Sequence, residues 1–256
     1  LWRNDTGIAP AEDEAGSSGR AGIASPHSGI AANQRPSVIF RHGSGRTFGS
    51  TGIPQRWINL PGTIQVPDGV SIHGASYSLD GAAPQALSLG TDLHRLAMPG
   101  DFNVEIPAVT LDSGFHTVRV VAEYAQAEQT AAVSGEISFT AVTGRTWPLP
   151  WSVDWTGHRG DVHAVQVVDG HWLSVPGGLR TAVPYYDRVL AVGDTTWTDY
   201  EVTVEVTVHG YTPPSPGPPS YSVAHVGIGL RWKGHHDDGH QPRRKWYPVG
   251  AATELT

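Results

Sequence analysis

Histidine and aspartate side chains cluster near the end of the chain, in the run His235–His240. Imidazole and carboxylate groups are common metal ligands in proteins, so His235, Asp237, Asp238 and His240 are candidate ligands of a cation. Calcium would take its oxygens from the two aspartates, because imidazole is a poor calcium ligand. The alternative interpretation is an exposed loop that binds no metal, since neighbouring polar residues are common in surface loops.

Two carboxylates, Glu201 and Glu205, share one parity of a run that alternates with valine. In a strand they would lie ~13 Å apart at ~3.3 Å per residue. Glycosidases hold their two carboxyl groups only ~5 to 9.5 Å apart. The pair is therefore interpreted as solvated sheet surface. The sequence also has no Gly-x-Ser-x-Gly elbow and no phosphate-binding loop, so no catalytic residue is assigned.

A third candidate is a sugar-binding surface built on Gly227, Gly229 and Arg231, which share one face of a predicted strand. Missing side chains allow another molecule to approach the sheet backbone closely. If the following loop returns over this face, Trp246 and Tyr247 would offer rings to the apolar face of a sugar, while a guanidinium or carboxylate binds its hydroxyls. The alternative is that the glycines serve only sheet twist or close packing.

Two runs in which apolar residues alternate with other residues would form the elements that position these side chains. From Glu201 to Val208 every second residue is valine, and in the run Val226–Trp232 the large apolar residues again share one parity. This period of two predicts two antiparallel strands, each with one buried face. Val202, Val204 and Val206 are predicted to point into the core.

The composition predicts many short strands joined by turns. Of 256 residues, 31 are glycine and 20 proline, only 16% are charged, and no helical periodicity extends over ten residues. The net charge of -7 argues against a nucleic-acid partner. No apolar run approaches ~18 residues, which argues against membrane insertion. The chain has no cysteine, so disulfides and thiolate sites are excluded.

The sequence divides into three parts. Residues 1–36 are small and polar and are expected to be a flexible segment. Residues 37–143 and 144–256 are each expected to form a domain with its own core. Within the first domain, Asp80-Gly81 predicts a hairpin turn between a strand at 75–79 and a returning strand from Gln85 to Leu89.

The first domain resembles a bacterial immunoglobulin-like module. The resemblance rests on Tyr77–Gly81, Gly100–Val104, Gly114–Val121 and a closing strand through Phe139. It implies a β-sandwich spacer without a site of its own.

The second domain resembles the concanavalin A-like lectin/glucanase superfamily, in its laminin-G-like branch. The resemblance rests on Asp169–Trp172, Gly193-Asp194, Trp197–Val204 and Gly227–Arg231. It implies a jelly roll, and because further strands are not legible after Trp232, the domain is expected to continue past the last residue, Thr256. The catalytic Glu-x-Asp-x-x-Glu strand of the superfamily's glucanases is missing.

Together these interpretations predict an all-β fold class with two tandem β-sandwiches, immunoglobulin-like and then concanavalin A-like. The expected function is a non-catalytic, lectin-like carbohydrate-binding module of a secreted, extracellular or cell-surface protein, with a glycan or polysaccharide as its partner. One alternative is part of a polysaccharide hydrolase or lyase whose catalytic residues lie outside this segment. The other is an adhesive or structural module. The sequence gives no indication of an oligomeric state.

Overall fold

A computed structural model describes residues 35–50, 52–92, 94–126, 129–146, 148–153, 155, 165–183, 187–210 and 226–255. The predicted flexible segment 1–36 lies almost wholly outside these ranges. Across the described part, regular structure is almost all β-strand, with one short 3-10 turn at Ala108–Thr110, which confirms the predicted all-β sandwich class. No helix in these ranges has the length and apolar character needed to cross a bilayer.

The strands in chain order are β1 (Ser37–Phe40), β2 (Arg46–Phe48), β3 (Trp57–Gln65), β4 (Ser71–Leu79), β5 (Gln85–Ala86), β6 (Asp101–Pro107), β7 (Gly114–Gln126), β8 (Gln129–Ala141), β9 (Gln166–Val167), β10 (Trp172–Val175), β11 (Gly178–Thr181), β12 (Leu190–Ala191), β13 (Val226–Leu230) and β14 (Ala251–Leu255).

The first eight strands form a β-sandwich. One sheet has the order β1-β3-β6 and the other the order β2-β8-β7-β4-β5, and every pair is antiparallel except β2 with β8. Alternate residues of both sheets meet in one apolar core, in which Val104, Val118, Val120 and Phe139 are almost fully buried. The period of two in the sequence therefore becomes a buried and a polar face on each strand.

The turn between β4 and β5 follows the sequence prediction. Asp80 and Gly81 have φ angles of 50° and 74°, and the amide of Ala82 donates to the carbonyl of Leu79 at 2.8 Å. Positive φ at both central residues is the conformation that asparagine, aspartate and glycine adopt most readily in tight hairpins. The returning strand β5 pairs with β4 as expected.

The three-stranded sheet is buried on both of its faces. Its second face carries polar side chains, and Asn59, Asn103 and Glu105 on it are at most 3% exposed. The amide of the Asn103 side chain donates to the carbonyl of Val168 at 2.8 Å, so the later part of the chain covers this face. The polar outer face of the three-stranded sheet is thus buried by contact with the later part of the chain.

The later part of the chain forms three small two-stranded sheets, β9 with β12, β10 with β11, and β13 with β14. The β10–β11 hairpin has Gly177 at φ 83° in its turn. The domain boundary at 143/144 and the concanavalin A-like assignment remain predictions.

The strand predicted at Glu201–Val208 is not formed. This run is described without regular structure, and Val202, Val204 and Val206 are 44%, 53% and 44% exposed. The prediction that these valines point into a core is wrong for this structure. An alternating pattern shows which side chains would share a face, but a strand also needs a hydrogen-bonded neighbour. Within the described residues this run has none.

The second alternating run does form a strand, β13, but its partner differs from the expected one. It pairs with β14, from Val226 opposite Leu255 to Leu230 opposite Ala251. The strand ends before the predicted Trp232, because Arg231 has φ of 60° and leaves the extended conformation.

Candidate functional site

The loop between β13 and β14, residues 231–250, continues their hairpin in an irregular form. The amide of Tyr247 donates to the carbonyl of Gly234 at 3.0 Å, and the amide of His236 donates to that of Lys245 at 2.9 Å. An isolated antiparallel bridge joins His235 to Trp246 between them. The hydrogen bonds hold the two sides of the loop in a fixed register, so that its aromatic residues have defined positions.

His235 anchors this loop in the protein interior. Its side chain is fully buried, and its carbonyl accepts a hydrogen bond from the indole of Trp57 on β3 at 2.6 Å. Its Nε2 lies 3.8 Å from a carboxylate oxygen of Asp169 and 3.9 Å from one of Asp187. These separations exceed hydrogen-bond length, and the imidazole is held by packing against the rings of Trp232 and Trp246.

Trp246 lies directly opposite His235 and reaches the surface, where it is 41% exposed. Its indole nitrogen donates to Asp187 at 3.1 Å, and its ring centroid lies 5.0 Å from that of Trp232 and 6.1 Å from that of His235. One part of the indole is therefore fixed by packing and a hydrogen bond, while the rest faces solvent.

Tyr247 is fixed by an arginine from the other half of the chain. Arg56, which precedes β3, donates to the Tyr247 hydroxyl at 2.8 Å, and its guanidinium carbon lies 4.5 Å from the ring centroid. The ring of His236 makes an edge contact at 5.7 Å. We call Arg56, His236, Trp246 and Tyr247 the aromatic patch.

The loop is also tied to the sandwich at its far end. Arg243 donates to Glu105 on β6 through its amide at 2.9 Å and its guanidinium at 3.1 Å, and the guanidinium stacks over Trp57 at 3.6 Å. The side chain of Gln241 donates to the carbonyl of Asn103 at 2.8 Å. These contacts hold the patch against the three-stranded sheet.

A buried ionic cluster lies beneath the patch. Arg95 donates to both Glu105 and Asp169 at 2.6 Å, and all three side chains are at most 1% exposed. Burial raises the pKa of Asp169 against the opposing effect of Arg95. Burial favours the neutral form of Arg95, but the two carboxylates raise the pKa of its guanidinium above the ordinary value. The carboxylates of this cluster are enclosed and paired, which suits a structural role.

The predicted glycine surface is occupied by the protein itself at one of its positions. A Cβ on Gly227 would lie 2.6 Å from the carbonyl oxygen of Thr253, so this glycine permits close packing of β14 on β13. Gly229 is more open, because a Cβ on it would lie 3.5 Å from Cγ1 of Val249, an ordinary contact distance. Arg231 is exposed, and its backbone amide donates to the hydroxyl of Tyr200 at 2.8 Å.

Trp246 and Tyr247 lie farther along the hairpin, at the bridge to His235. The ring of Trp246 contacts that of Trp232, whereas the ring of Tyr247 contacts His236 and Arg56. The structure places these two of the five predicted ligand-binding residues next to each other at the bridge, and ligand binding by all five remains a prediction.

The predicted metal ligands fall into two places. His235 is buried against Asp169 and Asp187, whereas Asp237 and Asp238 belong to the tip of the loop, where Asp237 is exposed and the Asp238 side chain is buried. There, a carboxylate oxygen of Asp238 lies 3.4 Å from Nδ1 of His240. Backbone amides of the same loop hold the pKa of Asp238 below its ordinary value against the effect of burial.

In the described ranges, no group of three or more histidine, aspartate or glutamate side chains is arranged to hold a metal ion. Calcium binding by the loop remains a prediction.

Several residues of the patch and its support were not found by sequence reasoning. Arg56 and Trp57 lie almost 180 residues before the loop, and no spacing in the sequence connects them to it. Asp169 is part of the sequence resemblance only, and no pattern in the sequence singles out Asp187. A weak signal was available in Arg56-Trp57, since a tryptophan next to an arginine at the start of a strand is well suited to a contact surface.

No protein-family model and no curated protein sequence matches this chain. Among solved structures, it is similar to the X-ray structure of the endo-β-1,4-mannanase from Thermotoga petrophila, with 10% identity and a TM-score of 0.31. The similarity covers 44% of this chain and 21% of the mannanase chain. A likeness of this size carries no functional conclusion.

Proposed function

We propose that this chain is a non-catalytic carbohydrate-binding module of an extracellular protein and that it holds a sugar on the exposed ring of Trp246. The observation that carries this proposal is the position of Trp246. Its indole is 41% exposed, yet its nitrogen is held by Asp187 and its ring rests on Trp232 and His235. An exposed aromatic ring with so many fixed contacts is suited to binding rather than to filling a core.

The chemistry of a pyranose ring suits such a surface. The C–H groups of one sugar face are apolar and gain favourable contact on an indole or phenol ring, while the hydroxyls around the edge need hydrogen-bond partners. Because the Trp246 ring is fixed before the sugar arrives, binding avoids the cost of ordering it, about 0.5–1.5 kcal/mol for such a side chain.

Polar partners for the hydroxyls lie at the edge of the rings. The Arg56 guanidinium has five N–H donors and uses one of them on Tyr247. Nδ1 of His236 lies 2.9 Å from the carbonyl of Asp237 and donates to it, which leaves Nε2 for a ligand. Rings with donors at their edge match the two kinds of surface on a sugar.

The non-catalytic part of the proposal is supported by the state of the nearby carboxylates. Glu105 and Asp169 are enclosed and paired with Arg95, and Asp187 is engaged by Trp246. A general acid or base has to reach the bond that it cleaves. These groups contribute to holding the patch in place instead.

The test is binding of the chain to a panel of neutral and acidic polysaccharides by affinity electrophoresis and titration calorimetry. Trp246→Ala should weaken binding about tenfold or more, the loss typical of a central aromatic contact. The matched control is Phe115→Ala, which removes a ring that is 70% exposed on β7 of the sandwich. Both variants should keep the melting temperature of the parent protein.

Equal loss of binding in the two variants would show that exposed aromatic rings bind the polysaccharide nonspecifically and would contradict the proposal. If the parent protein binds no polysaccharide of the panel, an adhesive or structural role takes its place. Cleavage of a polysaccharide by this chain would contradict the non-catalytic assignment.

A further inference from the structure

The loop that carries the aromatic patch is basic, although the chain as a whole is acidic. Residues 231–247 contain five lysines and arginines but only two aspartates, for a formal charge of +3, whereas the whole chain has a net charge of -7. Arg56 adds a further cation from outside the loop, at the edge of Tyr247. The positive charge is therefore local and coincides with the exposed rings.

Some of these cations are committed to partners within the protein. Arg243 pairs with Glu105 at 3.1 Å, and Arg244 lies 3.8 Å from Asp92. The remaining cations near the rings, Arg56 and Lys245, are exposed and form no ion pair with any described residue. Arg231 and Lys233 are exposed as well, so four cations are uncommitted among the described ion pairs. Arg56 and Lys245 are the two that adjoin Tyr247 by contact or in sequence.

Arg56 and Lys245 lie on the same side as Tyr247. Lys245 and Tyr247 are two residues apart on either side of the bridge at Trp246, so their side chains share one face of the hairpin. Arg56 donates to the hydroxyl of Tyr247 itself. The ring of Tyr247 is thus bordered by the Arg56 guanidinium, and Lys245 presents its side chain on the same face of the hairpin.

The other side of the patch is acidic. Asp187 accepts the indole N–H of Trp246, and its carboxylate would repel an anionic group placed at that edge of the ring. Asp237 is the exposed acid of the loop tip, 3.9 Å from Arg243. A ligand with negative charge would therefore be oriented, with its charge toward Tyr247 and away from Trp246.

We infer that the sugar bound at this patch is an anionic polysaccharide, of the uronate class, whose carboxylates are received by Arg56 and Lys245 while a pyranose ring lies on Trp246 or Tyr247. This inference rests on the proposed function. A guanidinium matches a carboxylate in plane and can bind it through two parallel hydrogen bonds, and an ammonium adds a second, less directional charge.

The test compares polygalacturonate with its fully methyl-esterified form, which has the same sugar ring without the charge. The full chain should bind the free acid at least tenfold more tightly, and this difference should shrink as salt is raised from ~0.05 to ~0.5 M, because salt screens exposed charges. Lys245→Gln should weaken binding of the acid several-fold and leave binding of the ester unchanged, whereas Arg56→Gln, which also loses the contact with Tyr247, should weaken binding of both and of the acid more strongly.

The matched control is Arg180→Gln on β11, which removes an exposed cation from another sheet and should change neither affinity. Melting temperatures of all variants verify that they are folded.

The outcomes distinguish failure of the anionic assignment from failure of the carbohydrate-binding function. If the ester or a neutral mannan binds as well as the acid, and Trp246→Ala abolishes that binding, the anionic assignment is wrong and the carbohydrate-binding function stands. If no polysaccharide binds, both the anionic assignment and the carbohydrate-binding function are wrong. Tighter binding of a single-stranded oligothymidylate than of polygalacturonate would overturn the assignment in favour of a nucleic-acid surface.

Discussion

Trp246 and Asp187 are 59 positions apart in the sequence, and the indole nitrogen of one donates to the carboxylate of the other at 3.1 Å. The same carboxylate lies 3.9 Å from the buried imidazole of His235. An exposed ring is thus connected through one carboxylate to the interior of the protein. This connection explains how a residue on an irregular loop can have a fixed orientation.

Removing this carboxylate should weaken sugar binding without unfolding the protein. Asp187 has φ of 43°, so Asp187→Gly removes the acceptor without backbone strain, and Asp187→Asn keeps an oxygen at the same place. We expect a loss of affinity of about twofold to tenfold for the glycine variant, since a hydrogen bond of this kind contributes about 0.5–1.5 kcal/mol. Titration calorimetry with the methyl-esterified polygalacturonate measures it, because this ligand has no charge for the Asp187 carboxylate to repel. Equal affinities of the glycine variant and the parent would show that the bond does not position the ring.

Arg95 should be essential for stability. Arg95→Met leaves Asp169 buried without its cation, and such a loss typically costs about 3–5 kcal/mol. Urea unfolding of the variant, followed by circular dichroism, measures the change. Arg180→Met on the exposed face of β11 is the matched control and should change the free energy of unfolding by less than about 0.5 kcal/mol. A cost below about 1 kcal/mol for Arg95→Met would contradict the structural role of the cluster.

A charge should be tolerated at Val204 and not at Val120. Val204 is 53% exposed, so Val204→Asp places its carboxylate in solvent and should cost less than about 1 kcal/mol. Val120 has no exposed surface, and Val120→Asp puts an unpaired charge into the sandwich core and should abolish soluble folding. Soluble yield and melting temperature measure both effects. Loss of folding in Val204→Asp would show that the run Glu201–Val208 is covered in solution.

Acid should destabilise the protein through His42. Burial, helped by the nearby Arg46, lowers the pKa of His42 to about 4, whereas the unfolded chain takes up this proton near pH 6.5. The neutral imidazole therefore contributes its full stability above pH 6.5, and that contribution is lost as the pH falls from 6.5 toward 4. Over this range the loss approaches about 3 kcal/mol.

The measurement is the free energy of unfolding at several pH values for the parent and for His42→Gln, which cannot titrate. The difference between the two proteins should change by about 2 kcal/mol or more between pH 7 and pH 4.5. Parallel pH profiles would mean that His42 takes up its proton at the same pH in the folded and unfolded states.

Local patterns in the sequence were sufficient for the elements of the sandwich. The alternation around Val118 and Val120 determined which side of β7 is buried, and Asp80-Gly81 determined where β4 turns. Both are short-range effects, because parity and turn conformation depend on a few neighbouring residues.

The pairing of distant segments could not be obtained in this way. The run Glu201–Val208 has the clearest alternation in the chain and still forms no strand, while β14, at Ala251–Leu255, has no strong pattern and pairs with β13. Alternation gives the face of a residue but not the identity of its neighbour.

The candidate site shows the same limit. The aromatic residues Trp246 and Tyr247 were predicted from their type and position, but they were assigned to the face of Gly227 and Gly229. The support from Arg56 depends on a contact across 191 positions of sequence, which no local pattern encodes. A ring can therefore be proposed as a contact from sequence, whereas its partners require the fold.

The most direct test of carbohydrate binding on the aromatic patch is oxidative footprinting of tryptophan. The chain is treated briefly with N-bromosuccinimide, with and without saturating polygalacturonate, and each modified tryptophan is located by peptide mass spectrometry. Trp246, which is 41% exposed, should be oxidised in the free protein and strongly protected in the complex, while other accessible tryptophans should react equally in both samples. Oxidation of Trp246 at the same rate in a complex shown by calorimetry to be saturated would place the sugar elsewhere and contradict the proposed site.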